Sequence, residues 1–375
     1  MPFPLLLSLN FRFNKGWLSE LKASIAHPVF WQYLLAAELP PRKSEAILQE
    51  LQEGSYDPVS FLLSYPYLTA AEKKRMLQAN IPAFEKAFGQ GAFILTKADY
   101  SEPLSECSFA PSALFARGIS DVLGKKKIGV IGTRKATSYG KGIAKRFAER
   151  LVRSQAVIVS GGAYGIDATA HQSALDAGGE TIAILPTGID QYYPAAHTAL
   201  FERICKNGCL VSPYAVASKW HAGRPVLRNY VLASLCHALV VIEAPQRSGA
   251  LMTAGFANEL GKEVFVVPAN IDHPNFQGSH HLIREGATLV DHPDQILDAL
   301  GLVLGTEKQN VFPKRILTMS KVRQNILDLL REGPMDAEKI GEQLKESPST
   351  LLSELTMLEM EGLIFRDIGG YVLQG

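Results

Sequence analysis

Two short, mostly apolar runs that each break into glycines constrain this chain more than any other feature. Lys127-Ile128-Gly129-Val130-Ile131 ends in Gly132-Thr133-Arg134, and Val157-Ile158-Val159 ends in Ser160-Gly161-Gly162-Ala163-Tyr164-Gly165-Ile166-Asp167. Unbroken apolar runs with a helical segment between them read as neighbouring strands of a parallel sheet covered on both faces. Glycines at the carboxyl ends of such strands fall where an open α/β sheet places its ligands. Without a Cβ, backbone N–H groups can approach an anion, and a helix N-terminus behind them adds partial positive charge. The pattern predicts a phosphate site on a doubly wound sheet.

The familiar nucleotide devices do not account for it. Thr-Arg-Lys follows Gly132, so the segment is not G-x-G-x-x-G, and it lacks the Gly-Lys-Ser/Thr ending of a P-loop. No cofactor is expected. Arg134 beside open N–H groups would instead clamp a phosphate bidentately. Formal net charge is only +1, which argues against a generic polyelectrolyte binder, yet residues 125–153 hold ten Lys/Arg against the single acid Glu149. Lys135, Lys141 and Lys145 extend that positive track from the glycine turns. Further on, Thr187-Gly188-Ile189-Asp190-Gln191-Tyr192-Tyr193-Pro194 follows a third strand. Lys219, Trp220, His221 and Arg224 precede Arg228-Asn229, which is expected to open a helix. Ser248-Gly249-Ala250 starts another helix at the same sheet edge, with Ser248 either capping it or facing a phosphate. Cations and rings mixed on one loop suit single-stranded nucleic acid, where each stacked base contributes ~1–3 kcal/mol.

Catalytic and metal readings find less support. Asp167 and His171 share a helix face, but nothing fixes Ser160 against His171, and Asp167 is expected to cap the helix that follows it. Cys205 and Cys209 have no second pair, and His273, His280, His281 and His292 match no metal-site spacing. Four cysteines without paired spacing point to reduced thiols and a cytoplasmic protein. The apolar start, residues 1–9, is too short to span a bilayer and lacks the basic beginning of a signal peptide.

Residues 1–95 read as a helical domain, with helices over 17–37 and 44–51 and a third after Thr69-Ala70-Ala71-Glu72, a capping-box pattern. Residues 100–118, with Pro103 and Pro111, read as an irregular lead-in. Residues 96–300 form the α/β domain, with strands expected at 127–131, 156–159, 181–185, 209–211, 238–243, 263–267 and 288–290. A linker over 301–315 precedes a winged-helix domain over 316–375, with helices at 321–331, 336–344 and 348–361 and a β tail turning at Gly369-Gly370. That last domain carries six Lys/Arg against ten Asp/Glu, and its final helix has no basic residue. Duplex binding needs phosphate neutralisation, so this surface is expected to meet protein rather than DNA.

The glycine motifs, the 187–194 segment, Ser248-Gly249-Ala250-Leu251-Met252-Thr253 and His281-Leu282-Ile283-Arg284-Glu285-Gly286-Ala287 together resemble the DNA-processing protein A (Smf) family across roughly residues 100–300. The resemblance implies an extended Rossmann-like fold that binds single-stranded DNA without catalysis. It also implies a homodimer, and the loading of a RecA-type recombinase onto incoming DNA during natural transformation. The expected DNA contacts are Gly132, Thr133, Arg134, Lys135, Lys141, Lys145, Gly161, Gly162, Ala163, Tyr164, Gly165, Trp220, Arg224, Arg228, Asn229 and Ser248. This chain departs from the family at Thr133, where Ser is usual, and at Tyr164, where a basic residue is frequent. Pro268-Ala269 stands where Pro-Gly is common. The family's Phe-x-x-Arg-Asn-Arg becomes Pro225-Val226-Leu227-Arg228-Asn229-Tyr230, which leaves Trp220 or Tyr230 to supply the missing ring. The competing class is a nucleoside-monophosphate hydrolase on the same sheet, with Asp167 or Glu243 as its carboxylate.

Overall fold

The apolar runs pair as burial on both faces demands. In the computed structural model the described residues are 28–54, 56–100, 102–107, 110–302, 321–331, 333–360, 363–367 and 370–373. The chain divides into two compact units, Met1–Val303 and Leu304–Gly375.

The first unit is built on one nine-stranded sheet. Its strands are β1 (Ala92–Thr96), β2 (Ala113–Gly118), β3 (Lys127–Gly132), β4 (Val157–Ser160), β5 (Thr181–Ile184), β6 (Cys209–Ser212), β7 (Ala238–Glu243), β8 (Glu263–Val266) and β9 (Thr288–Leu289). Their spatial order is β1-β2-β6-β5-β4-β3-β7-β8-β9. From β6 across to β9 every pairing is parallel, while β2 runs antiparallel to β6 and β1 antiparallel to β2. Helices cover both faces: Ile128 and Val130 of β3 pack against Phe147 and Ile166 on one side, and Ile131 enters a separate core on the other.

The chain steps outward from β3 through β4, β5 and β6, then returns to lay β7 on the opposite side of β3. Strand order therefore reverses at β3. The crevice over the carboxyl ends of β3, β4 and β7 is the topological switch point, where such sheets bind ligands.

Two strands correct the sequence expectation. β1 lies inside the stretch read as wholly helical, and β2 inside the stretch read as irregular. Both are five- or six-residue apolar segments, too short for periodicity to separate strand from buried helix or loop. Tertiary packing decides: Ile94 and Phe115 join a core with Phe30 and Phe84 of the preceding helices and Phe201. Those helices include Pro28–Ala36, Pro41–Glu53 and Ala70–Leu77. Residues 17–27 of the first expected helix lie outside the described residues. The capping box forms as read: Thr69 N donates to Glu72 Oε2 at 2.7 Å, and Glu72 N donates to Thr69 Oγ1 at 3.2 Å.

The second unit holds helices Lys321–Arg331, Ala337–Leu344 and Pro348–Met360, and an antiparallel pair of β10 (Ile364–Asp367) with β11 (Gly370–Leu373). Met335 bridges Tyr371 beside that pair. Ile326, Leu330, Ile340, Leu355, Leu358 and Tyr371 form its own core. Gly369 of the expected turn, and most of the expected linker, lie outside the described residues.

Candidate nucleic-acid interface

The two glycine turns lock into each other at the switch point. Thr133 N donates to the Glu243 carbonyl at 2.7 Å, tying the β3 turn to the end of β7. Ile166 N donates to the Thr133 carbonyl at 3.2 Å, tying it to the β4 turn. Gly165 sits at φ 77°, and a Cβ there would lie 2.3 Å from the Thr133 oxygen, so both conformation and space require glycine.

Asp167 does not cap the helix that follows. Gly165 occupies the cap position of helix Ile166–Asp176, and Asp167 in the first turn reaches back across the loop. Its Oδ2 accepts from Gly161 N at 3.2 Å and Ala163 N at 3.4 Å. Arg228 lies against the same turn, so close that a Cβ on Gly161 would fall 1.3 Å from Nη1 and 2.9 Å from Asp167 Oδ2. Both side chains are 6% exposed. Burial raises the Asp167 carboxyl above its usual range, opposed by the Arg228 charge and the backbone N–H groups. Arg228, expected to hold DNA, is buried against this turn with its charge beside Asp167. It does not open a helix either: helix Arg224–Leu235 begins one turn earlier.

The carboxylate at the end of β7 is likewise committed. Buried Glu243 accepts from Thr137 Oγ1 at 2.8 Å, Thr137 N at 3.1 Å and Asn275 Nδ2 at 2.6 Å, anchoring the start of helix Ser138–Arg153. Both carboxylates considered for hydrolysis are therefore engaged by the fold. Ser160 Oγ donates to the Val130 carbonyl at 2.7 Å, whereas His171 Nδ1 meets Thr181 Oγ1 at 2.6 Å. Burial drives the His171 pKa down to about 3, and the Ser160–Asp167–His171 set does not assemble. Among the described residues no cluster of His, Cys, Asp or Glu could hold a metal ion, and the four cysteines are free. No described helix is long and apolar enough to cross a membrane.

Over these turns opens a cavity of about 450 Å³. Gly132, Thr133, Arg134, Ala163, Arg228, Asn229 and Ser248 from the expected set all line it. Three guanidiniums, Arg134, Arg228 and Arg247, face one carboxylate, Asp167. Arg134 and Arg247 are exposed and form no ion pair among the described residues. The eleven-residue helix Gly249–Glu259 starts at the rim, with the Ser248 hydroxyl accepting from Ala250 N at 3.2 Å. Ser248 is thus first a cap, and the helix N-terminus behind it adds to the positive field. Arg247 was missed by sequence reasoning; its only signal was a cation immediately before a cap residue.

Other expected contacts lie elsewhere. Arg224 is spent internally: Nη2 pairs with Glu38 Oε1 at 2.7 Å, Nη1 donates to the Lys219 carbonyl, and the guanidinium covers the Tyr214 ring at 4.8 Å. Lys135, Lys141 and Lys145 are exposed on the loop and helix beyond Arg134, with Lys145 near Glu149 at 3.9 Å. Gly162, at φ 66°, leaves space for Phe201. Trp220, 40% exposed, stacks on Tyr193, 37% exposed, with centroids 5.0 Å apart and planes 19° from parallel. Tyr164, 48% exposed, meets His197 edge-on at 4.7 Å. Tyr230 packs edge-on against Phe256, so Trp220 is the ring left facing solvent. Tyr193 and His197 were not foreseen, because their partners come from other loops.

Fold and site define a doubly wound protein with an arginine-lined cavity at its topological switch point. The particular family follows from comparison: residues 92–301, more than half of the chain, match the family of the DNA recombination-mediator protein A. The chain belongs to that family. It is 36% identical over 261 residues to the DNA processing protein A of Mycobacterium tuberculosis, spanning 68% of this chain and 67% of that protein. The crystal structure of the Streptococcus pneumoniae DNA processing protein A superposes with a TM-score of 0.62 at 32% identity, covering 71% of this chain and 95% of the other. A Helicobacter pylori structure, described for its single-stranded DNA binding mode, gives 0.52 at 27% identity, covering 56% of this chain and 95% of that one. Residues 314–375 separately match the N-terminal domain of a methanogenesis regulatory protein, FilR1.

Proposed function

We propose that this chain binds single-stranded DNA over the carboxyl edge of its sheet, without cleaving it. One observation carries the reading: Arg134 and Arg247 stand exposed and unpaired among the described residues, at a cavity where a helix N-terminus also points. Phosphates take those groups, Lys135, Lys141 and Lys145 extend the track, and the Trp220–Tyr193 pair offers a face for bases. The Helicobacter relative's single-stranded DNA binding supports this choice of ligand. The hydrolase reading has no free carboxylate beside the turns. In the cell the protein handles incoming single strands during natural transformation, as a homodimer that passes them to a RecA-type recombinase; membership in the family supports that role.

The second unit is proposed to be a winged helix that contacts protein. Its helix Pro348–Met360 has no Lys or Arg and exposes Leu352 and Met357. The test of the main reading is anisotropy of labelled single- and double-stranded oligonucleotides at two salt concentrations. Tighter binding to single strands, lost when Arg134 and Arg247 are both replaced by alanine, is expected. Binding indifferent to that double substitution would sink the assignment.

A further inference from the structure

A second cavity, of about 270 Å³, lies next to the first at the same sheet edge. Ser112, just ahead of β2, and Pro213, just after β6, lie at its base, and Leu34 and Leu35 of helix Pro28–Ala36 line its side. The segment from 221 to 229 is a wall shared by both cavities. Ala222, Pro225 and Arg228 line the switch-point cavity, whereas His221, Arg224 and Leu227 line this one. A strand held in the first cavity is thus separated from the second only by one turn of helix.

The chemistry of the second cavity is specific. Two buried side-chain polar atoms without a hydrogen-bond partner among the described residues, Ser112 Oγ and Arg224 Nε, belong to residues lining this one cavity. Ser112 is 5% exposed. Both atoms can donate, so the cavity asks for an acceptor. A buried donor left unpaired costs stability that an occupant would recover. The Arg224 charge is already balanced by Glu38 at 2.7 Å, so a second anion gains little there and a neutral acceptor fits better. Leucine and proline side chains supply flat apolar contact. The volume falls below the ~300–1,000 Å³ of drug-sized sites, enough for one ring system but not for a whole nucleotide.

We propose that this cavity receives an unstacked nucleobase of the strand whose phosphates occupy the switch-point cavity. The inference rests on the single-stranded DNA reading. Trp220, next in sequence to His221 of the lining, stacks on the neighbouring base while the inserted one takes its hydrogen bonds from Ser112 and Arg224.

The full-length chain is titrated with an oligothymidylate, with an abasic oligomer of equal length, and with a strand carrying 2-aminopurine. Leu35→Trp, which fills the cavity, is expected to weaken the base-bearing strand roughly tenfold while leaving the abasic strand and the salt slope unchanged. It should also abolish the 2-aminopurine emission change on binding. Ser112→Ala, which keeps the cavity open, is expected to cost the base-bearing strand about threefold. Base-bearing affinity and the 2-aminopurine signal unaltered in both variants would overturn the subsite alone, as would wild-type protein that binds the two strands equally. Wild-type protein that binds no single strand would remove the underlying reading and the subsite with it.

Discussion

Gly161→Ala tests how the site is built. The new Cβ would sit 1.3 Å from Arg228 Nη1, 2.5 Å from its Cζ and 2.9 Å from Asp167 Oδ2. Arginine tips usually swing away cheaply, but this one is 6% exposed and packed beside the only carboxylate in the cavity lining. Moving it draws its charge away from the buried Asp167 carboxylate; losing such a charge partner outright costs about 3–5 kcal/mol, and overpacking alone costs about 1–3 kcal/mol. We expect a loss of about 3 kcal/mol, because Arg228 can retain part of its attraction to Asp167. For a unit of this size that lowers the melting temperature by roughly 6–12 °C. Gly142→Ala serves as the comparison. It lies in helix Ser138–Arg153 with nothing within 4 Å of where a Cβ would sit, so alanine there should stabilise by about 0.5–1 kcal/mol. Denaturant titration of both variants gives the difference directly. A Gly161→Ala midpoint within about 0.5 kcal/mol of wild type would show that Arg228 is not pinned under the turn, and the assignment of Arg228 as internal support would fail.

Three further outcomes follow from the same geometry. Arg134→Ala should weaken single-strand binding and flatten the plot of log affinity against log salt by about 0.7, the loss of one phosphate contact; an unchanged slope removes Arg134 from the track. His171 is held neutral by burial, with its pKa near 3 rather than 6.5, so the unfolded chain takes up a proton the folded chain refuses. The stability present above pH 6.5 is then lost as pH falls toward 3, by about 2 kcal/mol between pH 6.5 and 5, and a His171→Gln variant measured alongside should lose less over that window. Residues 304–375, which carry their own core, should not bind duplex DNA at micromolar concentration in physiological salt, since the unit is acidic; such binding would overturn its role as a protein contact.

What the sequence made legible depended on whether a residue's role was local. The central parallel strands β3 to β7 could be read because each is a mostly apolar run ending at a turn, and burial on both faces is written into such a run. The glycine turns were legible for a related reason: at Gly165 the backbone itself excludes a side chain, and that requirement shows as glycine. β1 and β2 lie outside the alternation of parallel strand and helix, and their packing with Phe30 and Phe84 is what places them as strands.

The cations show the limit most clearly. A count of Lys and Arg marked the basic segment, since a charge excess is a property of the segment. It could not tell which cations are available, because availability depends on partners brought in by the fold. Arg228 meets Asp167 from another helix, and Arg224 meets Glu38 from the helical segment before the sheet, so two arginines that read as phosphate ligands already face a carboxylate within the fold. Arg247, with little local signal, is left exposed beside Arg134 at the cavity. The spent arginines still shape binding. By fixing the 221–229 wall and the 161–165 turn, they hold the backbone N–H groups and the two exposed guanidiniums in place before any ligand arrives, which reduces the ordering cost of binding. Substituting Arg224 or Arg228 should therefore weaken DNA binding through lost order, with the salt slope preserved, whereas substituting Arg134 or Arg247 should change the slope itself.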